Sequence, residues 1–287
     1  MVKIYCTQRS SGFSLLELVV ATFMGLLIVA VLVDQRVVAG RSQVLRAAQS
    51  QLIEDAQIAI DLLRADFMML GYGRALQARS GSAGQASWQT SIAAPAVVAC
   101  DDGFASLPEE GPATCALSGN ASASSAVEIG HEVDVFSTVV GGDKKPTDCL
   151  GNSLDSVDAP DGSKVHVARN RWQVSQSGSR TELRCAGRGK TGPQPLVENV
   201  ERLRLWWGLP VDAQEGSALR YVLASQVSDF SQVRAVRFCL LVRSREPVLG
   251  LDDARSYIDC NGAPATSTYA RLRRAFWSTV AFRNWAS

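Results

Sequence analysis

The sequence predicts an α+β protein in which one long N-terminal helix packs on a mainly antiparallel β-sheet. Three observations carry this. An apolar run at 13–33 passes without a proline into an amphipathic stretch that ends at Gly71-Tyr72-Gly73. From Val127 onward, short segments alternate apolar and polar residues, as half-buried strands do. No helical pattern recurs between those segments, so the crossovers that a parallel sheet needs are missing.

The opening run carries one charge, Glu17. At 1.5 Å per residue it spans roughly 30 Å as a helix, the thickness of a bilayer's hydrocarbon core. Lys3 and Arg9 precede it, which predicts an N-terminus held on the cytoplasmic side and a remainder that crosses. A cleaved secretory signal would end in small residues after the apolar stretch. Here the chain continues as Asp34-Gln35-Arg36, which argues against that reading. Beyond it, Leu45, Ala48, Leu52, Ala56, Ile60, Leu63, Phe67 and Leu70 recur at helical spacing and mark one apolar face. Arg46, Glu54, Asp55, Asp61, Arg64 and Asp66 lie between them. The first proline is Pro95, so nothing earlier must break the helix, and the glycines at 71 and 73 give the stop. Gly25 and Gly40 are its weak points. The expected organisation is a membrane and assembly helix at 13–33, an amphipathic continuation at 34–73, and a β-rich domain at 74–287.

Within that domain, 77–126 is rich in Ala, Ser and Gly and reads as a long surface loop, partly ordered by Cys100 and Cys115. Strands are expected at 127–135, 164–168, 171–175, 180–186, 200–206, 219–223, 233–242 and 269–282. A net charge of +1 with 20% charged residues signals neither a nucleic-acid partner nor an acidic one. Of the seven cysteines, Cys6 precedes the apolar run; Cys100, Cys115, Cys149, Cys185, Cys239 and Cys260 follow it. An even set on the exported side predicts disulfides. The connectivity stays open; proximity in sequence would join Cys100 to Cys115, Cys149 to Cys185 and Cys239 to Cys260.

No pair has CxxC spacing and the chain has two histidines, His131 and His166, so no metal or other cofactor is expected. Gly187-Arg188-Gly189-Lys190-Thr191-Gly192 imitates a phosphate loop, but Arg184 stands where its first glycine belongs and Pro193 forbids the following helix. Arg271, Arg273, Arg274 and Arg283 read as a solvated strand face rather than a nucleic-acid patch. Asp252, Asp253 and Asp259 match no calcium loop. No nucleophile–base set is recognisable, so an enzyme is not expected.

The most specific stretch is Ser11-Gly12-Phe13-Ser14-Leu15-Leu16-Glu17. Opening a nearly uncharged run behind a short basic leader, it resembles the cleavage and methylation signal of type IV prepilins. The resemblance implies a membrane-embedded prepilin peptidase that removes 1–12 by cutting between Gly12 and Phe13 and then N-methylates Phe13. It also implies that Glu17 makes an assembly contact with the N-terminal amine of a neighbouring subunit. The residue alone admits a second role, capping its own helix through the dipole. A carboxylate at mid-bilayer costs about 2.5–3.5 kcal/mol, so Glu17 needs a partner or a place near the membrane edge.

Four later segments, 52–72, 200–205, 236–244 and 273–284, resemble the PilW family of minor pilins. Pilin helices often carry a proline after the membrane half, which this chain lacks. The resemblance implies a type IV pilin-like fold and a structural role in pilus assembly, priming or a tip complex. It implies as partners other minor pilins, the major pilin and an adhesin-like tip protein. The place would be the inner membrane, single-pass with the C-terminal domain in the periplasm, and then the pilus. The alternatives are a J-type pseudopilin of type II secretion and, from another class, a membrane-anchored periplasmic enzyme.

Overall fold

The computed structural model describes residues 12, 14–77, 88–90, 97–105, 113–117, 124–159, 161–188, 192–212, 217–250, 256–267 and 269–284. The chain divides into two units, Met1–Ala47 and Ala48–Ser287. One helix, α1 (Leu15–Met69), runs through both and is unbroken at Gly25 and Gly40. In the second unit it buries Leu52, Ala56, Ala59, Ile60, Leu63 and Phe67, the face that helical spacing predicts, with Ala59 added. It ends where Gly71 adopts a φ of 71°, a left-handed cap that glycine takes at little cost.

Among the described residues fourteen strands follow, in chain order β1 (Ala75–Gln77), β2 (Trp88–Thr90), β3 (Val97–Cys100), β4 (Ala126–Val133), β5 (Ser156–Asp158), β6 (Lys164–Ser177), β7 (Arg180–Ala186), β8 (Gln194–Glu198), β9 (Val200–Pro210), β10 (Leu219–Val222), β11 (Ala235–Arg243), β12 (Ser256–Ile258), β13 (Pro264–Thr266) and β14 (Arg273–Ala281). One sheet has the order β3-β4-β6-β7-β8, with β5 also on β6; the other is β10-β9-β11-β14. β1 pairs with β2, and β12 with β13, as separate hairpins. Every strand pairing among the described residues is antiparallel. The backbone N–H of Gly71 donates to Gly130 O and that of Glu132 to Tyr72 O, so the helix exit is tied to β4.

The expected single sheet is therefore two, and a single residue explains the division. Asn199, between β8 and β9, has a φ of 66°, in the left-handed region that asparagine tolerates better than most side chains. Its N–H donates to Thr181 O on β7 of one sheet at 2.7 Å. Its carbonyl accepts from the Arg243 N–H on β11 of the other at 3.0 Å. Its side-chain amide donates to Asp55 on α1 at 3.3 Å.

One core serves the helix and both sheets. Leu63 and Phe67 belong to one cluster with Val127, Ile129, Trp172 and Leu183 of the first sheet and Leu203, Trp207, Phe238 and Leu240 of the second. Phe67 lies 5.6 Å from the Phe238 ring and 6.3 Å, edge-on, from Trp207. Beside this apolar contact sits a carboxylate without a cation. Asp66 accepts from Trp172 Nε1 at 2.5 Å and from Asn170 Nδ2 at 3.0 Å. The residue keeps some exposed surface, but the carboxylate is enclosed, and that burial pushes its pKa up to about 6 against the two hydrogen bonds that lower it. Asp55 is raised too, again by burial first.

Other expectations change in detail. The stretch 77–126 is not loop throughout: β2 lies in it, and β3 pairs residue for residue with the start of β4. The four residues Val97-Val98-Ala99-Cys100 are too short for alternation to stand out from the surrounding Ala and Ser. The segments expected at 164–168 and 171–175 form one strand, because β6 is flanked by β4 and β7 and is buried on both faces around Asn170 and Arg171. On the face away from α1, Glu128 answers Arg171 at 2.5 Å and Arg169 at 3.0 Å. Three disulfides close, each between cysteines that are neighbours in sequence order: Cys100–Cys115, Cys149–Cys185 and Cys239–Cys260. The last fastens the β12–β13 side of the domain to β11.

Candidate assembly site on the N-terminal helix

Leu15 opens α1 and Ser14 stands at its N-cap, with its carbonyl accepting from the Leu18 N–H at 3.2 Å. Three residues on, Glu17 Oε2 accepts from the Ser14 N–H at 3.1 Å. This is the reach-back half of a capping box, in which a glutamate satisfies a backbone donor that the helix itself leaves orphaned. The sequence Ser-Leu-Leu-Glu contains that signal, so the local role of Glu17 was legible as spacing as well as charge. In this free chain the carboxylate serves its own helix end.

Gly12 lies just outside the cap. A Cβ built there would meet nothing within 4 Å. Among the described residues, neither packing nor a left-handed φ demands glycine at this point. Phe13, Cys6 and the rest of 1–11 lie outside the described residues.

From Leu15 to Val33 the large apolar side chains are all exposed, from 81% at Leu15 to 48% at Val20. The described residues contain one helix long and apolar enough to cross a membrane, and none of its apolar window is buried. A surface of this extent is far larger than a soluble monomer presents to water, and it requires lipid or other protein around it.

The remaining candidates do not gather into a site. The six cysteines that follow the apolar run are joined in disulfides. His166 Nδ1 lies 2.7 Å from Leu154 O. His131 is buried in β4, its Nδ1 has no partner among the described residues, and desolvation pulls its pKa down to about 4. Arg273 is held by Glu201 at 2.6 Å, while Arg274 lies over the Phe276 ring at 5.4 Å. Asp259 caps its own turn through the N–H groups of Asn261 and Ala263; Asp252, Asp253 and 189–191 of the glycine-rich stretch lie outside the described residues. No cluster of three or more potential metal ligands occurs among the described residues. Sequence reasoning missed Asp66 as a special group. The available signal was its place beside Phe67, at the edge of the apolar face.

Residues 171–284 match the family described as Type IV Pilus-assembly protein W. Over this stretch the chain is PilW-like. The match begins within β6 and includes all of β7 to β14, so it covers the whole second sheet, the β6–β8 part of the first and the Asn199 corner. Three of the four segments that resemble the family in sequence fall inside it; 52–72, on α1, does not. Proteins of this pilus-assembly kind are structural rather than enzymatic. Among solved structures the chain is similar to the type IV-like pilin TTHA1219 from Thermus thermophilus. The identity is 13% and the TM-score 0.42, over 83% of this chain and 100% of that one. No curated protein matches the chain.

Proposed function

We propose that this chain is a minor type IV pilin. It is made with a leader at 1–12, cut between Gly12 and Phe13 by a prepilin peptidase, and N-methylated on Phe13. It is anchored in the inner membrane by the apolar part of α1, with the PilW-like domain in the periplasm. It then enters the pilus with other minor pilins, the major pilin and an adhesin-like tip protein, where it acts in priming or in the tip complex. The observation that carries this reading is the start of α1. An exposed apolar helix begins three residues after a glycine that no described neighbour requires, and the chain continues into a PilW-like domain. Glu17, released from Ser14, becomes the acceptor for the amine of a neighbouring Phe13.

Intact-mass measurement on membrane-extracted protein tests the processing. The expected mass lacks 1–12 and carries one methyl group. A chain that retains the leader in cells with active peptidase would falsify the proposal. Gly12→Val leaves the precursor uncut, because a branched side chain obstructs the extended approach of the backbone. Deleting the gene should then reduce surface pili while leaving the major pilin level unchanged.

A further inference from the structure

The β6–β7 turn, the β8–β9 corner, the exit from β11 and the approach to β14 meet around a half-open cavity of about 330 Å³. Four guanidinium groups line it, those of Arg180, Arg243, Arg245 and Arg271, against the carboxylates of Glu198 and Glu246. The lining thus carries two more positive than negative charges. Glu201 and Arg273, just behind it, pair with each other at 2.6 Å and leave the balance unchanged. Asp55 on α1 accepts from Asn199 and also attracts Arg245, so it offsets part of that excess from behind the lining.

Three of these cations have a local partner, and one has none. Arg180 has no partner among the described residues. Arg271 donates to the carbonyl of Ser244 at 2.8 Å, and Arg245 reaches Glu198 at 3.3 Å. Arg243 is the most enclosed, its side chain 11% exposed; it donates to Ser179 O and lies 3.5 Å from Glu201. Its Nε nevertheless has no acceptor, and the buried Oγ1 of Thr181, in the same lining, has no partner either. Burial, together with the guanidiniums of Arg271 and Arg273, holds Arg243 below the usual arginine range. Buried polar atoms without partners are rare in folded proteins and mark a place where something else completes the set. Like charges crowded in a partly enclosed space repel, and an anion between them removes that cost.

We propose that this cavity is an oxyanion site for a dianionic phosphate group, either free phosphate or the terminal phosphoryl of a larger molecule. The phosphate's negative charge offsets the guanidinium excess, and the planar guanidinium forks match tetrahedral oxygens. The Thr181 hydroxyl adds a neutral donor at the wall. The volume admits the phosphate and a few atoms of whatever carries it. The site depends only on the second unit and does not rest on the pilus reading.

The test is isothermal titration of the detergent-solubilised full chain with inorganic phosphate, with chloride at matched ionic strength as the control. Glucose 1-phosphate supplies the second arm. Saturable binding of phosphate is expected. Arg180→Gln, an exposed change that leaves the core untouched, weakens it about tenfold, the loss of one charge-assisted hydrogen bond. Thr181→Val weakens it by a smaller factor. Binding of glucose 1-phosphate at equal strength assigns the site to a phosphoryl group on a larger molecule; binding of phosphate alone assigns it to the free ion. Heats no larger than those of chloride, or an affinity unchanged by Arg180→Gln, overturn the proposal.

Discussion

Replacing Asp66 by Asn tests the helix–sheet contact where its cost is concentrated. The Asp66 carboxylate is enclosed with two neutral donors, Trp172 Nε1 and Asn170 Nδ2, and its pKa rises from 3.8 to about 6. A raised acid binds its proton more tightly in the folded state than in the unfolded chain. Its contribution to stability is therefore fully present below about pH 4 and is lost as pH rises through 6. Roughly two units at about 1.36 kcal/mol each give a change on the order of 3 kcal/mol across that window. Asp66→Asn keeps a carbonyl to accept from Trp172 but cannot ionise. Its stability relative to the parent should rise by that amount between pH 4 and pH 7. Urea unfolding of both proteins in detergent, followed through tryptophan fluorescence at several pH values, measures the difference directly. A difference that stays flat with pH would refute the assignment of the burial cost to Asp66.

Three further perturbations have defined outcomes. His131, depressed to about 4 by burial, contributes stability above pH 6.5 that is lost as pH falls through 4. His131→Leu should therefore gain on the parent by about 3 kcal/mol between pH 8 and pH 4 in the same unfolding assay. Phe67→Ala empties the space between Phe238 and Trp207 and should cost about 3–5 kcal/mol, read as a lowered urea midpoint. Glu17→Val removes the bond to the Ser14 N–H, worth about 0.3–1 kcal/mol with the helix dipole, and so preserves insertion and cleavage while abolishing pull-down of other minor pilins. Full pilus counts from that variant would show that Glu17 makes no contact between subunits.

The long helix was legible because both of its solvents leave a mark: an uninterrupted apolar run, then one stripe from Leu52 to Leu70. The strands that alternate apolar and polar residues, β4 and β9 above all, were legible for the same reason. Of the short strands, β10 was expected but several others were not. β3 and β8 are recruited by neighbours already in place, and four or five residues contain too little periodicity to announce it. The division into two sheets was hidden because it depends on a backbone sign at Asn199, which looks in sequence like any polar residue. The chemistry at Gly12 and Glu17 was visible as a motif. The burial of Asp66 was not, since only the folded sheet decides which carboxylate of the amphipathic helix turns inward.

Asn199 has a consequence for how this domain can vary. The residue binds one sheet through its N–H, the other through its carbonyl and the helix through its side chain. Adding or deleting one residue there would turn every side chain of β9 to the opposite face, driving Trp206 into the core and Trp207 onto the half-buried face beside Trp277. Between β3 and β4, by contrast, extra residues can be accommodated without moving any strand, because the Cys100–Cys115 link closes its own small loop. Length differences among variants of this protein should therefore accumulate before Ala126 and be purged around Asn199. Swaps between such proteins should keep everything from β7 to β11 as one block.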